Sequence, residues 1–198
     1  AHDIPHPETH VFYNKKEALN FFSQCTFPQV AKLNIGAAGN GVEILKTLAD
    51  AFKYVEEIFS DGKTARVGPK LSKGHLWSRL IRKVLHPSEL LERLNTYKSV
   101  AGDVQRGFLL TQMFIPHNYE WRVVRIGNSF FAHKKLIKGD KTSGSLLKGY
   151  DNPPFSLLNF VRELTEPFKF YSQAVDVFEI RTGRYAVNEM QCIFGQSD

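Results

Sequence analysis

Near the carboxyl end, apolar and polar side chains alternate on both sides of a short turn, which specifies an antiparallel hairpin. One strand reads Ala174-Val-Asp-Val-Phe-Glu-Ile180, the turn falls at Thr182-Gly183, and the chain returns as Tyr185-Ala-Val-Asn-Glu-Met-Gln191. Strand alternation puts Glu189 and Gln191 on one face and sends Asn188 and Met190 to the other. Folding the hairpin brings Asp176 to the Glu189 side. Two carboxylates and an amide oxygen, in a chain without a cysteine or histidine cluster, make a hard-oxygen set that suits Mg²⁺ holding nucleotide phosphates. A solvated hairpin with polar residues on its wet side is the competing reading of the same residues.

The remainder of the chain decides how much weight the hairpin bears. At 198 residues and 42% hydrophobic, with no apolar run of membrane-spanning length, the chain is expected to be soluble and globular, as one domain or two small lobes. Cys25 and Cys192 are too few and too far apart for a disulfide framework or a zinc site. No charged-then-apolar signal opens the sequence, so a cytoplasmic location is expected. The net charge of +6 is uneven: residues 63–106 hold ten Lys and Arg against three Asp and Glu, which leaves the rest of the chain close to neutral.

Periodicity divides the chain into segments. Residues 4–11 are extended by prolines, Lys15–Gln24 has helical spacing, and Phe27–Leu33 reads as a strand. A glycine-rich turn over residues 36–41 leads into a second strand, Val42–Leu45, and residues 46–59 carry Leu48, Ala51, Phe52, Val55 and Ile58 at helical intervals. The basic segment looks mostly helical, with a helix start near Ser88 and a core stripe of Trp77, Leu80, Ile81 and Val84. From Phe108 the period becomes two, through Phe108–Ile115, Trp121–Ile126 and Ser129–Ile137, and Phe155–Leu164 makes one more helix before the final hairpin. The expectation is an α+β fold of two lobes, each with an antiparallel sheet and packed helices: a small lobe over 1–107 and a larger one over 108–198.

The turn Gly36-Ala-Ala-Gly39-Asn-Gly41 lets backbone N–H groups approach a phosphate, and Lys32 on the strand before it could reach the same anion. Because it joins two strands, it fits neither a Walker nor a Rossmann context, and alone it is an ordinary loop. Taken in order with Leu110-Thr-Gln-Met-Phe-Ile115, Glu120-Trp-Arg122 and the Asp…Glu-x-Gln hairpin, it resembles the ATP-grasp superfamily. The branch it is similar to is that of ribosomal-protein glutamate ligases and glutathione-synthetase-like enzymes. The resemblance implies that Lys32 and the loop with Gly36, Gly39 and Gly41 bind nucleotide phosphates, and that Gln112, Met113, Phe114 and Ile115 meet adenine through main chain. Met113 stands where the family usually has Glu. It further implies that Arg122 faces the transferred phosphate, that Lys141-Thr-Ser-Gly-Ser145 matches an Arg-Ala-Ser-Gly-Ser stretch of some members, and that Asp176, Glu189 and Gln191 are Mg²⁺ ligands, with Gln191 replacing an Asn. The strand that pairs with that of Arg122 offers Lys135 or Lys134 to the same site; parity allows one of them there, and Lys135 is taken as the second catalytic cation.

What the resemblance implies about function is an ATP-dependent carboxylate–amine or carboxylate–thiol ligase using ATP and Mg²⁺, with Mn²⁺ as an alternative, and an acyl-phosphate intermediate. Its partners would be a small-molecule or peptide carboxylate and an amine acceptor, with neither membrane nor nucleic acid required. Family members usually begin with a separate α/β domain, so this chain is expected to work with a missing domain or a second chain. An ATP-grasp kinase is the near rival. The other is a non-catalytic polyanion-binding module in which Arg79, Arg82, Lys83 and Arg106 of the basic segment carry binding and the nucleotide site is vestigial. Of the histidines, His2, His6 and His10 crowd the amino terminus, and His117, just beyond the 112–115 segment, could touch a ribose or be a plain loop residue.

Overall fold

The computed structural model describes residues 3–35, 41–64, 103–138, 141–142 and 148–192. In chain order the elements are β1 (Thr9–Phe12), α1 (Lys15–Gln24), β2 (Gln29–Lys32), β3 (Val42–Leu45), α2 (Leu48–Phe59), β4 (Lys63–Thr64), β5 (Val104–Gln105), β6 (Leu109–Met113), β7 (Tyr119–Ile126), β8 (Ser129–Lys138), β9 (Lys141–Thr142), β10 (Lys148–Gly149), α3 (Phe155–Thr165), β11 (Ser172–Arg181) and β12 (Arg184–Gln191). The α+β class expected from periodicity is what is found. Gly36, Gly39, Ser143–Ser145 and most of the basic segment, including Trp77, Arg79, Arg82 and Lys83, lie outside the described residues.

The strands form a four-stranded sheet of order β1-β6-β2-β3, a six-stranded sheet of order β10-β8-β7-β11-β12 with β9 beside β8, and a β4-β5 pair. The chain divides into two units: Ala1–His10, Phe27–Val30 and Thr111–Asp198 form one, Val11–Thr26 and Ala31–Leu110 the other.

In the second unit, α1 begins where the Asn14 side chain accepts the Lys16 N–H at 2.8 Å, and it buries Ala18 and Phe22, one turn apart. A reciprocal cap starts α2: the Asp50 N–H donates to Thr47 Oγ1 at 3.2 Å, and the Thr47 N–H donates to Asp50 Oδ2 at 3.0 Å. Its inward stripe is Ala51, Tyr54, Val55 and Ile58, a spacing of three, four and seven. The chain leaves α2 through Gly62 at φ +83°, whose N–H donates to Glu57 O at 2.8 Å. Gly41, at φ +95°, opens β3 while its carbonyl accepts the Leu33 N–H at 2.8 Å. A Cβ there would come within 2.9 Å of Ile35 O, so the glycine-rich turn requires glycine at its last position.

In the first unit, α3 packs Leu157, Val161 and Leu164 against Trp121, Val123, Val175, Val177, Tyr185 and Val187 on one face of the six-stranded sheet. Each fully buried aliphatic side chain of this kind contributes roughly 1.5–3 kcal/mol. Arg125, 1% exposed, secures the end of α3: its Nη1 donates to Thr165 Oγ1 at 2.7 Å, its Nε donates to Gly127 O at 2.9 Å, and it pairs with Glu166. With that face given to the core, the opposite face of β7, β8, β11 and β12 is left to carry polar chemistry.

Candidate active site

The polar face is built by register. Asp176 on β11 stands opposite Arg122 on β7 and opposite Glu189 on β12, while β8 places Lys135 opposite Glu120 and His133 opposite Arg122. Cross-strand partners share a face, so these side chains converge. Asp176 is 2% exposed and takes a two-pronged contact from the Arg122 guanidinium, Nε to Oδ1 at 2.8 Å and Nη2 to Oδ2 at 2.9 Å. The Lys135 ammonium bridges the two buried acids, donating to Asp176 Oδ2 at 2.8 Å and to Glu120 Oε2 at 3.0 Å.

Electrostatics in this pocket of charge are set by pairing against burial. Burial alone would push the Glu120 carboxyl up, but the facing His117 and Lys135 outweigh it and hold the group at about 2. Burial disfavours the charged Lys135 ammonium, yet Asp176 and Glu120 carry its pKa above the ordinary value. The His133 imidazole is pushed down, by burial first and then by Lys148 and Arg122. Because the Glu120 pKa is lowered on folding, the stability it contributes is present above the ordinary carboxyl range and is lost as pH falls from 4.5 toward 2. Acid unfolding of Glu120→Gln is expected to lack this leg; the same acid transition in parent and variant, followed by circular dichroism, would contradict it.

Lys134, one residue away, goes elsewhere. Its ammonium reaches Asp151 Oδ2 at 2.6 Å and lies over the rings of Tyr119 and Trp121, at 4.4 and 5.0 Å from their centroids. Of the two lysines that parity left in contention, Lys135 is therefore the one in the cluster.

Glu189 is exposed, and its carboxylate accepts from the Gln191 amide. Asp176, Glu189 and Gln191 thus come together as the hairpin predicts, but the alternation expected for Asn188 does not hold. Asp176 pairs with Glu189 while Val177 pairs with Val187, so Asn188 is the extra residue of a β-bulge. Val187 and Met190 pack on the core side, and Asn188 turns to the polar face, where its Nδ2 donates to Glu120 Oε1 at 3.0 Å. Sequence reading missed Glu120, Asn188 and His117 as members of the cluster. Glu120 was within reach, because it lies two residues before Arg122 on one strand.

Residues 112–115 run from β6 toward this face. Gln112 is buried and donates its amide to Thr9 Oγ1 at 3.0 Å, the exposed Met113 gives its backbone N–H to Glu8 O at 2.8 Å, and Ile115 O contacts the His117 ring nitrogen Nδ1 at 2.6 Å. Lys32 ends β2 and, with Gly41, belongs to the other unit. His6 and His10 bond locally, to Pro7 O and to Glu8. Among the described residues, no group of three or more His, Cys, Asp or Glu side chains is placed to hold a metal ion. The hard-oxygen set at the hairpin consists of two carboxylates and an amide, a small protein contribution suited to Mg²⁺ that keeps phosphate and water ligands.

Residues 1–71 match the family described as phosphoribosylglycinamide synthetase, ATP-grasp (A) domain. The fold is similar to that of a RimK domain ATP-grasp protein from Sphaerobacter thermophilus, at a TM-score of 0.55 and 18% identity over 95% of this chain and 53% of that one. This chain has the ATP-grasp fold. A RiPP-associated ATP-grasp ligase from Chryseobacterium gregarium, solved with ADP and a leader and core peptide, aligns at 0.54 and 14% identity over 96% of this chain and 48% of that one. The biotin carboxylase domain of the Hydrogenobacter thermophilus 2-oxoglutarate carboxylase, solved with MgADP, ADP and bicarbonate, aligns at 0.56 and 13% identity over 97% and 37%. This chain therefore spans about half, or less, of the length of these neighbours. No curated protein matches it in sequence. Among its described residues, no helix is long and apolar enough to cross a membrane.

Proposed function

We propose that this ATP-grasp chain is part of an ATP-dependent ligase that activates a carboxylate as an acyl phosphate for attack by an amine. The observation that carries the reading is the buried Asp176, held by Arg122 and Lys135 and facing Glu189 across the ladder. Structural neighbours solved with ADP and peptide, and with MgADP and bicarbonate, support a nucleotide and a carboxylate-type or peptide acceptor as the ligand classes. A purely structural ion-pair network would not need two cations on one buried carboxylate together with a second, exposed carboxylate opposite it.

Asp176 and Glu189 would hold Mg²⁺, with Gln191 as a weaker third ligand, and the ion would offset charge on the phosphates. Mn²⁺ would suit the same oxygens. Arg122 commits two of its five N–H donors to Asp176, and Lys135 commits two of its three to the buried acids, so both have donors left for an incoming phosphoryl group. Fixed cations of this kind act by stabilising charge on the transferred group without reorganising first. Through main chain, residues 112–115 would contact the adenine by groups other than the Met113 N–H, which Glu8 already holds.

Lys32 and the turn ending at Gly41 are proposed, from the sequence resemblance, to bind phosphate. Lys32→Ala is expected to weaken Mg·ATP binding roughly tenfold, the loss of one charge-assisted hydrogen bond. Calorimetric titration of parent and variant measures this, and equal affinities would remove Lys32 from the site.

A further inference from the structure

The inner end of the charge cluster is closed by a histidine that the ligase reading leaves unused. His117 is nearly buried, with 13% of its side chain exposed, and is walled by the Phe178 ring at 4.6 Å and the Phe114 ring at 6.4 Å. Nδ1 lies 2.6 Å from the Ile115 carbonyl oxygen, which has no proton to give, so Nδ1 must be the protonated nitrogen. In a neutral ring that leaves the lone pair of Nε2 pointed at Glu120 Oε1, 3.6 Å away, a repulsive arrangement in a site with no hydrogen-bond partner for Nε2 among the described residues. An imidazolium removes the conflict, because Nε2–H then faces the carboxylate.

The same carboxylate then connects His117 to the cations. Glu120 Oε1 faces His117 and accepts from Asn188, while Oε2 accepts from Lys135, which also holds Asp176. We propose that His117 is a positioning residue for the phosphate-facing cluster: as an imidazolium it anchors Glu120, so that Glu120 fixes the Lys135 ammonium beside Asp176, and its deprotonation loosens Lys135 and weakens Mg·ATP binding. This rests on the reading of Lys135 as a phosphate-facing cation. The groups facing the ring are Glu120 from β7 and the Ile115 carbonyl, both favouring the proton, Lys135 from β8, which opposes it, and uncharged Phe178 from β11 and Phe114. Burial disfavours the imidazolium most, yet Glu120 and the carbonyl prevail and the pKa is raised. The segment that the sequence assigns to adenine, 112–115, is thereby joined through one ionisable link to the cluster assigned to the phosphates.

The experiment has two arms on the intact protein. In the first, the His117 imidazole is titrated by NMR in the parent and in Glu120→Gln, without nucleotide. The expected result is titration above the usual imidazole range in the parent and a fall toward it in the variant; identical titrations would overturn the proposal. In the second, Mg·ATP affinity is measured by calorimetry across the pH range of that titration, in the parent and in His117→Gln, which keeps an N–H near Glu120 but carries no charge. Parent affinity is expected to fall roughly tenfold as His117 loses its proton, the size of one charged hydrogen bond, while the variant stays at the weaker value throughout. Parallel pH profiles would mean that His117 is merely structural and would overturn it as well. If His117 and Glu120 prove coupled while no form binds Mg·ATP, the pairing stands and the ligase reading fails.

Discussion

Replacing Asp176 by alanine is expected to cost the free protein about 3–5 kcal/mol of unfolding free energy, the typical penalty for removing one partner of a buried ion pair. The size follows from what remains. Arg122 and Lys135 lose the carboxylate that holds both of them at 2.8–2.9 Å, and two partly buried cations are left to share Glu120 with exposed Glu189 alongside. Glu189→Gln provides the contrast, since an exposed carboxylate bonded to Gln191 contributes within about 0.5 kcal/mol to the fold. Under the proposed function, both variants lose Mg²⁺-dependent ATP affinity, but only Asp176→Ala lowers stability. Urea unfolding with calorimetry separates the two effects. An Asp176→Ala protein within 1 kcal/mol of the parent would show that the buried pair is not a strong anchor, and an unchanged Mg²⁺ dependence in Glu189→Gln would take Glu189 out of the metal site.

Most of the fold could be read in advance because its signals are local. The α1 bounds follow from the helical spacing of Ala18, Leu19 and Phe22 over Lys15–Gln24, the β7–β8 turn from Gly127-Asn128, and the final hairpin from Thr182-Gly183. Helix α2 was harder. Leu48 and Phe52 were counted in its apolar stripe but are 41% and 37% exposed, and Tyr54 is buried in their place. Apolarity alone does not fix the centre of a helical face, and an aromatic ring with a hydroxyl is easily left out of it. The helix expected from residue 46 starts at Leu48, behind the reciprocal cap of Thr47 and Asp50.

The site divides in the same way between local and long-range signals. Asp176 and Glu189 meet through a hairpin register, which is local, whereas Arg122 and Lys135 reach Asp176 through strand pairings that span 54 and 41 residues and that only the family resemblance suggested. Asn188 was lost because one bulge between Asp176 and Val177 shifts every later residue of β12 by one, and nothing in Tyr185–Gln191 announces it. His117 meets Glu120 across an irregular turn, where no periodicity predicts which way a ring points. Glu120 was legible by parity, and a carboxylate beside an arginine invites the question of what neutralises it.

Lys135 and Lys134 make the sharpest pair of variants, since they are neighbours in sequence but bond to different partners. Lys135→Met is expected to lower ATP turnover by roughly 10²–10³-fold, the usual loss when one preorganised contact to developing charge is removed. Lys134→Met is expected to leave turnover within about twofold, because its ammonium is spent on Asp151 and on the rings of Tyr119 and Trp121. Methionine keeps most of the aliphatic stem in both cases, so packing changes little and the difference reports the charge. Some stability is lost in Lys135→Met, where Glu120 and Asp176 face each other with only Arg122, His117 and Asn188 to compensate. Turnover is therefore compared at a temperature where unfolding curves show both variants fully folded. If the two then turn over ATP alike, the cation beside Asp176 holds the strands together and the phosphoryl group is stabilised elsewhere.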